Sequence, residues 1–221
     1  MPNFSGIWTV TQQMQARGQE IWTGIVPAVG SALGGGFFAG QISTAGNGVA
    51  DYNLVVGPVS SAQQSATSFK NSNTSTAGTS SIIDGPTNSS NMNNATHPAA
   101  YFCEGLTIGG FSDWYMPARN ELEVCYYNLK PGTTFIPNAF GANANAVPAR
   151  TSPYTSGNPA QTTAAAFVTS TGAEAFSTIE YWSSTENTGA TAWRNSFYQG
   201  YQYAAAKTAT YNVRAIRRVA V

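Results

Sequence analysis

Charge is the scarcest resource in this sequence. Only 9% of its 221 residues are Asp, Glu, Lys or Arg, against about a quarter in an ordinary soluble domain. Ten basic residues balance ten acidic ones at zero formal net charge, so no broad field is available to gather nucleic acid or an anionic membrane. Ser, Thr, Asn, Gln and Tyr must wet the surface instead. One His and two Cys, Cys103 and Cys125, exclude a histidine metal cluster and a disulfide framework, and no resident metal or cofactor is predicted. No stretch approaches the roughly 18 consecutive apolar residues of a spanning helix. The opening Met1 to Gly6 lacks the basic region and apolar run of a secretory signal, which predicts synthesis in the cytoplasm and no membrane insertion. The length allows one full-sized domain with a real core plus a small appendage.

The appendage is residues 1–30. Thr9 and Gln12 have capping-box spacing, a helix is predicted over residues 10–17, and Gly18 is its stop. Its stripe of Val10 and Met14 is too narrow to hold a helix alone, and two Ile-Trp pairs flank it. One reading is a terminal strand-helix-strand that packs on its own domain. The other is an assembly segment in which Ile7, Trp8, Met14, Ile21 and Trp22 are buried by another subunit. Residues 25–36, with Pro27, Gly30 and three successive glycines, read as a linker.

The main domain is predicted over residues 31–221. Strands are predicted over 37–42 and 52–56, separated by a Gly46-Asn-Gly48 turn. The Ser/Thr/Asn tract 70–96 is disordered by composition, but Ile82-Ile83 and Asp84-Gly85-Pro86 also allow a long ordered loop. A helix over 98–106 places Ala99, Cys103 and Leu106 on one face. A second starts at Pro117, carries Leu122, Cys125, Tyr126 and Leu129 on its inner stripe, and ends at Lys130-Pro131-Gly132. Both cysteines therefore face the core, as buried thiols or as a bridge between helices. Residues 133–178 have no period, and about 45 irregular residues in a compact domain mark a functional loop. Three strands close the chain, over 179–185, 192–198 and 211–221, the last with Arg214, Ile216 and Arg218 on one face.

The usual catalytic constellations find no support. Ser183-Ser184 lie near Glu186, but the single histidine, His97, reads as a helix-start residue. Glu121 and Glu123 are two apart on a helix and face different ways. The glycines at 34–36 lack the Lys-Ser/Thr of a phosphate loop. No enzymatic activity is predicted. Beyond Glu186 there are no acids but five cations, Arg194, Lys207, Arg214, Arg217 and Arg218. They form either an anion-facing patch or, as the preferred reading, internal pairs with upstream acids such as Glu121 or Asp113. Trp193, Tyr198, Tyr201 and Tyr203 surround a Gln199-Gly200 turn, with Asn195 and Gln202 among them. Rigid aromatics with adaptable amides are what recognition surfaces use. Alternation assigns Trp193 and Phe197 to the core. Asn187, Arg194, Tyr198, Gln199, Tyr201, Gln202 and Tyr203 form the candidate ligand-binding set.

Gly109-Gly-Phe-Ser-Asp-Trp-Tyr-Met-Pro-Ala-Arg-Asn-Glu-Leu122, Tyr181-Trp-Ser-Ser-Thr-Glu186, Ala192-Trp193 with Phe197 and Gly200, and Lys207 with Val213-Arg-Ala-Ile-Arg217 together resemble the DUF1566, or Lcl C-terminal, family. The resemblance spans residues 37–221. It implies an α+β, C-type lectin-like domain of two helices, small antiparallel sheets and long irregular loops, with Trp114, Pro117, Leu122, Trp182, Trp193, Arg214 and Arg217 as fold markers. It also implies a setting in bacterial surface proteins or bacteriophage tail, fibre and appendage proteins. Ile136-Pro137-Asn138 lacks the acid of the calcium-binding tripeptide of C-type lectins, and no Trp-Asn-Asp follows. The cysteine pair of the formylglycine-generating relatives falls late in that domain, whereas Cys103 and Cys125 are early. The resemblance thus implies a virion structural protein that presents a lectin-like face to a host-surface glycan or protein. It would be docked to other virion proteins through its N-terminal segment and assembled as a homo-oligomer, trimeric in a fibre. The alternatives are a purely structural connector or decoration and, remotely, a sulfatase-modifying-factor-like enzyme.

Overall fold

The computed structural model describes residues 26–137 and 139–221. The predicted N-terminal helix and the assembly residues Ile7, Trp8, Met14, Ile21 and Trp22 lie outside them. In chain order the elements are β1 (Ala32–Leu33), β2 (Gly36–Ile42), β3 (Tyr52–Val56), α1 (Val59–Ala62), β4 (Gln63–Ser68), α2 (Gly85–Ser90), α3 (Pro98–Glu104) and α4 (Arg119–Leu129). They continue with β5 (Ala146–Val147), a 3-10 turn (Ala165–Phe167), β6 (Glu180–Glu186), β7 (Thr191–Ser196), β8 (Gln202–Ala206), β9 (Thr210–Arg214) and β10 (Ile216–Ala220). This is an α+β architecture, with strands in two sheets. The first runs β1-β2-β3-β10, with β5 also on β2, and the second runs β4-β9-β6-β7-β8.

The opening hairpin forms as its alternation predicts, β2 against β3. The residues read as a linker turn out to be part of the sheet, because Ala32–Leu33 folds back on β2 over Gly34 and Gly35. β2 is bulged between Phe38 and Gly40. Gly40 has φ +128, and a Cβ there would collide with Asn128 of α4. Its absence lets the helix approach closely enough for the Asn128 amide to donate to the Ala39 carbonyl at 2.8 Å. Ala39, Ile42, Leu54 and Val56 meet Leu122, Cys125, Tyr126 and Leu129 in one buried cluster, while Val55 joins Phe69, Trp114, Met116, Trp182 and Val213 in a second. The first sheet is therefore apolar on both faces, which explains the unbroken Leu54-Val55-Val56 run.

Four expectations need correction. The last strand is not continuous: at Ala215 the chain leaves the second sheet and enters the first, where β10 pairs antiparallel with β3. Ala215 is wholly buried and holds both sheets, donating to the Ala62 carbonyl and accepting from the Gly57 amide. The sheets are not purely antiparallel, since β6 and β9 pair in parallel at Tyr181 and Asn212. The helix beginning at Pro117 starts two residues later, after Ala118. Its real cap is Glu121, whose carboxylate accepts from the Ala118 amide at 2.8 Å. Among the described residues four short helices occur in place of two, α2 being opened by the Asp84-Gly85-Pro86 turn, with Asp84 accepting from the Thr87 amide.

The two irregular segments are tied down by buried polar groups. Along residues 133–178, the hydroxyl of Tyr154 and the guanidinium of Arg150 converge on the buried Glu123 carboxylate. Arg214, fully buried, donates to the Glu174 carbonyl at 2.8 Å and its carboxylate at 3.0 Å. Burial holds the Arg214 guanidinium down at about 10. The long segment is thus ordered by its packing against the rest of the domain. The polar tract 70–96 takes the ordered alternative, wrapped around Lys70, Lys207 and His97. Cys103 and Cys125 are free thiols in separate apolar clusters, and burial pushes both up.

His97 precedes α3 and is 4% exposed. Its Nε2 lies 2.8 Å from the Thr76 hydroxyl and its Nδ1 2.9 Å from Asn94 Oδ1. Burial, helped by Lys70 and Lys207, lowers it to about 4. The unfolded chain therefore binds a proton more readily than the folded one, and His97 weakens the fold as pH falls from about 6.5 towards 4. The expected loss is about 2 kcal/mol at pH 5 relative to neutral pH. The urea-derived unfolding free energies of the parent and of His97→Asn, measured over that range, should change relative to each other by this amount; parallel curves would show that His97 does not titrate there.

Candidate functional site

The turn between β7 and β8 brings the aromatic candidates together. The Ser196 amide donates to the Tyr201 carbonyl and the Gly200 amide to the Ser196 carbonyl. Gly200 has φ +76, and a Cβ on it would press 2.8 Å from the Tyr126 ring of α4. Glycine there lets the turn rest directly on the helix. Beyond it β8 forms the edge of the second sheet, and its alternation puts Tyr201 and Tyr203 on one side. Their rings lie 5.1 Å apart, and both meet the edge of Phe140, at 6.0 and 5.8 Å. Tyr198 and Tyr203 are each 44% exposed. The Tyr201 hydroxyl donates to the Pro137 carbonyl at 3.4 Å. A ledge of Tyr201, Tyr203 and Phe140 results, with Tyr198 exposed in the adjoining turn.

Arg194 extends the ledge. Antiparallel register sets it directly opposite Tyr203, and its guanidinium lies 4.6 Å from the Tyr211 ring centre and 5.8 Å from that of Tyr203. Glu180, on the neighbouring β6, pairs with it at 3.1 Å. The ledge thus carries a compensated charge pair beside aromatic faces, a surface that can stack on flat apolar faces and hydrogen-bond at its margin.

Not every candidate belongs to it. Asn187 sits in the turn between β6 and β7, at the far end of β7, roughly 20 Å away along the strand. Its amide donates to the Thr191 hydroxyl at 3.0 Å and closes that turn. Gln202 points to the opposite face, buried, where its amide oxygen accepts from Arg119 Nε at 2.8 Å. Trp193 is half-buried rather than core, because the Arg119 guanidinium covers its ring at 3.9 Å. Gln199 is half-buried in the turn, its backbone amide donating to the Ser196 hydroxyl. Phe140, Tyr211 and Glu180 were not legible as site residues. Cross-strand pairing of Arg194 with Tyr203 could have been inferred from the turn, whereas nothing in the irregular segment marks Phe140.

The five late cations are all paired internally: Arg194 with Glu180, Lys207 with Glu186 at 2.6 Å, Arg214 with Glu174, Arg217 with Asp113 at 2.7 and 2.8 Å, and Arg218 with Glu121 at 2.8 Å. The preferred reading of that run holds, including both acids it named. An anion-facing patch is excluded by the same contacts. The Arg217 guanidinium holds the Asp113 carboxyl below its usual range through hydrogen bonding. Glu121 and Glu123 do face different partners, yet both are buried. Burial pushes each up, against the pull of Arg218 and Arg150 respectively. Among the described residues no three of His, Cys, Asp and Glu are grouped to hold a metal ion, and no helix is long and apolar enough to cross a membrane.

A family model described as the Lcl C-terminal domain matches residues 62–217, from the end of α1 into β10. No curated protein matches the chain.

Proposed function

Because the chain belongs to the Lcl C-terminal domain family, we propose that it is a bacteriophage virion protein, of tail fibre, appendage or decoration type. In this reading its domain is C-type lectin-like and binds a host-surface ligand without catalysis or a resident metal. The observation that carries the recognition role is the aromatic ledge of Tyr203, Tyr201 and Phe140, with Tyr203 and the neighbouring turn residue Tyr198 exposed, beside the paired Arg194 and Glu180. Aromatic ledges of this kind supply rigid contact area at low entropic cost. The N-terminal segment, with Trp8 and Trp22, would provide the attachment to other virion subunits. The second reading, a structural connector, is favoured by one feature: no described strand pairs with the outer edge of β8, and an open edge can accept a strand from another subunit.

Binding of the full chain to an array of bacterial surface polysaccharides tests the recognition role. Saturable binding is expected, unaffected by a calcium chelator and weakened about tenfold or more in Tyr198→Ala/Tyr201→Ala/Tyr203→Ala, consistent with loss of aromatic anchors. Absence of binding by the folded parent, or equal binding by the triple variant, would move the assignment to the connector.

A further inference from the structure

The surroundings of His97 fix where its proton sits. Asn94 Oδ1 accepts from the Thr96 amide at 3.1 Å, so it is the amide oxygen, and His97 Nδ1, 2.9 Å from it, must carry the hydrogen. The other end of the ring gives the same answer. The Thr76 hydroxyl lies 3.0 Å from Lys70 Nζ and 2.8 Å from His97 Nε2. An ammonium has no lone pair, so the hydroxyl accepts from Lys70 and gives its own hydrogen to a bare Nε2. A directed relay results, from Lys70 through Thr76 and His97 to Asn94, with the neutral imidazole built into it as an acceptor.

A proton on Nε2 reverses one link. The Thr76 oxygen would then face two cationic donors, and its own hydrogen would lose its acceptor. The charged groups around the ring are Lys70 after β4, Lys207 after β8 and Glu186 at the end of β6. Glu186 is the single anion among them, and its Oε2 is taken by Lys207 at 2.6 Å and by the Thr76 amide at 2.8 Å. The two sides of the relay are held unequally. Buried Ala99, Ala100 and Cys103 anchor α3 behind His97. Residues 71–78 are exposed apart from half-buried Thr76, and none of their side chains joins either apolar cluster. Polar contacts hold that tract: the Thr74 and Ser75 carbonyls on the two lysines, Thr76 and Thr79 on Glu186, and the Gly78 carbonyl on the Asn91 amide. A segment so poor in apolar contacts opens before the sheets do. What it covers is defined too. Ser75 packs on Gly189, where a Cβ would stand 2.8 Å from its hydroxyl, and Asn73 accepts from the Thr208 amide at 3.3 Å.

We propose that His97 is an acid-operated latch: protonation of Nε2 detaches residues 71–79 while both sheets stay folded, and uncovers the turns at 187–190 and 207–209. Burial, with Lys70 and Lys207, holds the ring at about 4, against 6.5 for a free imidazole. The open form therefore takes up the proton first, so the latch is shut at neutral pH and loosens as pH falls from about 6.5 towards 4. None of the tyrosine-ledge residues takes part, so the latch stands or falls separately from the recognition role.

The test is amide hydrogen exchange of the full chain between about pH 7 and pH 4.5, corrected for the intrinsic pH dependence of exchange. The Asn71 and Thr76 amides donate to the Thr96 carbonyl and to Glu186. Their protection is expected to fall about thirtyfold at pH 5, while the β3 amides stay the more protected throughout. His97→Gln, which does not titrate, should remove the step. A step that persists in His97→Gln would make a carboxylate the trigger, and equal protection of Thr76 and β3 would mean that the tract opens only with the whole domain; either result overturns the latch. If the variant does not fold, the imidazole nitrogen resonances of the parent decide. A hydrogen on Nδ1 at neutral pH, and titration in step with Thr76 exchange, are expected. A hydrogen on Nε2, or titration that leaves Thr76 exchange unchanged, would overturn the proposal.

Discussion

Glu121→Ala is expected to destabilise the protein by about 3–5 kcal/mol, the range for removing one partner of a buried ion pair. The carboxylate is wholly buried and accepts from the Tyr115 hydroxyl at 2.6 Å, the Ala118 amide at 2.8 Å and Arg218 Nε at 2.8 Å. Alanine would leave Arg218 Nε, the Tyr115 hydroxyl and the Ala118 amide that precedes α4 without their acceptor. Gly85 packs so closely that a Cβ there would strike this carboxylate, so the site cannot be filled from that side. Glu121→Gln keeps the acceptor for Ala118 but loses the charge and turns an NH2 toward Arg218 Nε and the Tyr115 hydroxyl, which lose their shared acceptor, and should cost about 1–3 kcal/mol. Urea unfolding with an unchanged slope measures both. A Glu121→Ala midpoint close to the parent's would mean that water enters and replaces the carboxylate.

Lys207→Met is expected to have a comparable cost, about 3–5 kcal/mol, with a local signature. The Lys207 ammonium is buried and donates to Glu186 at 2.6 Å and to the Thr74 carbonyl at 2.9 Å. Glu186 also accepts from the Thr76 amide at 2.8 Å, and Lys70 donates to the Ser75 carbonyl at 2.8 Å. Two lysines thus stand where an apolar core would for the Ser/Thr/Asn tract, and removing one frees the tract as well as stranding Glu186. Limited proteolysis should cut Lys207→Met within residues 70–80 well before the parent. Adding Glu186→Gln should recover part of the loss, because the uncompensated charge is then gone. Full parental resistance to the protease would show that the tract is held by other contacts.

Much of the local structure is legible in the chain itself. The i, i+3, i+4, i+7 spacing of Leu122, Cys125, Tyr126 and Leu129 predicts α4, and Phe37 to Val56 reads as a hairpin, because an element that must bury one face repeats its apolar residues at its own period. The pairing of late arginines with Asp113 and Glu121 follows from scarcity: in a chain with few charges, a strand arginine that enters the core must bring an acid to it. Asn187 and Gln202 lie apart from the aromatic ledge for a related reason. Composition identifies a polar aromatic neighbourhood, whereas whether an amide faces solvent or closes a turn depends on register and on what lies opposite.

The sequence by itself determined the α+β character, the two main helices, the burial of both cysteines and the family to which the chain belongs, and it favoured internal pairs for the basic run. Tertiary structure alone decided the rest: the break of the last strand at Ala215, the parallel contact of β6 with β9, the seating of Phe140 against Tyr201 and Tyr203, and the relay from Lys70 through Thr76 to His97. The physical reason is range. Hydrophobic periodicity is a local record of burial, written within one element and readable there. Strand partnership between Val55 and Arg217, or contact between Phe140 and Tyr203, joins residues far apart in the chain, and such meetings are selected by the packing of the whole core.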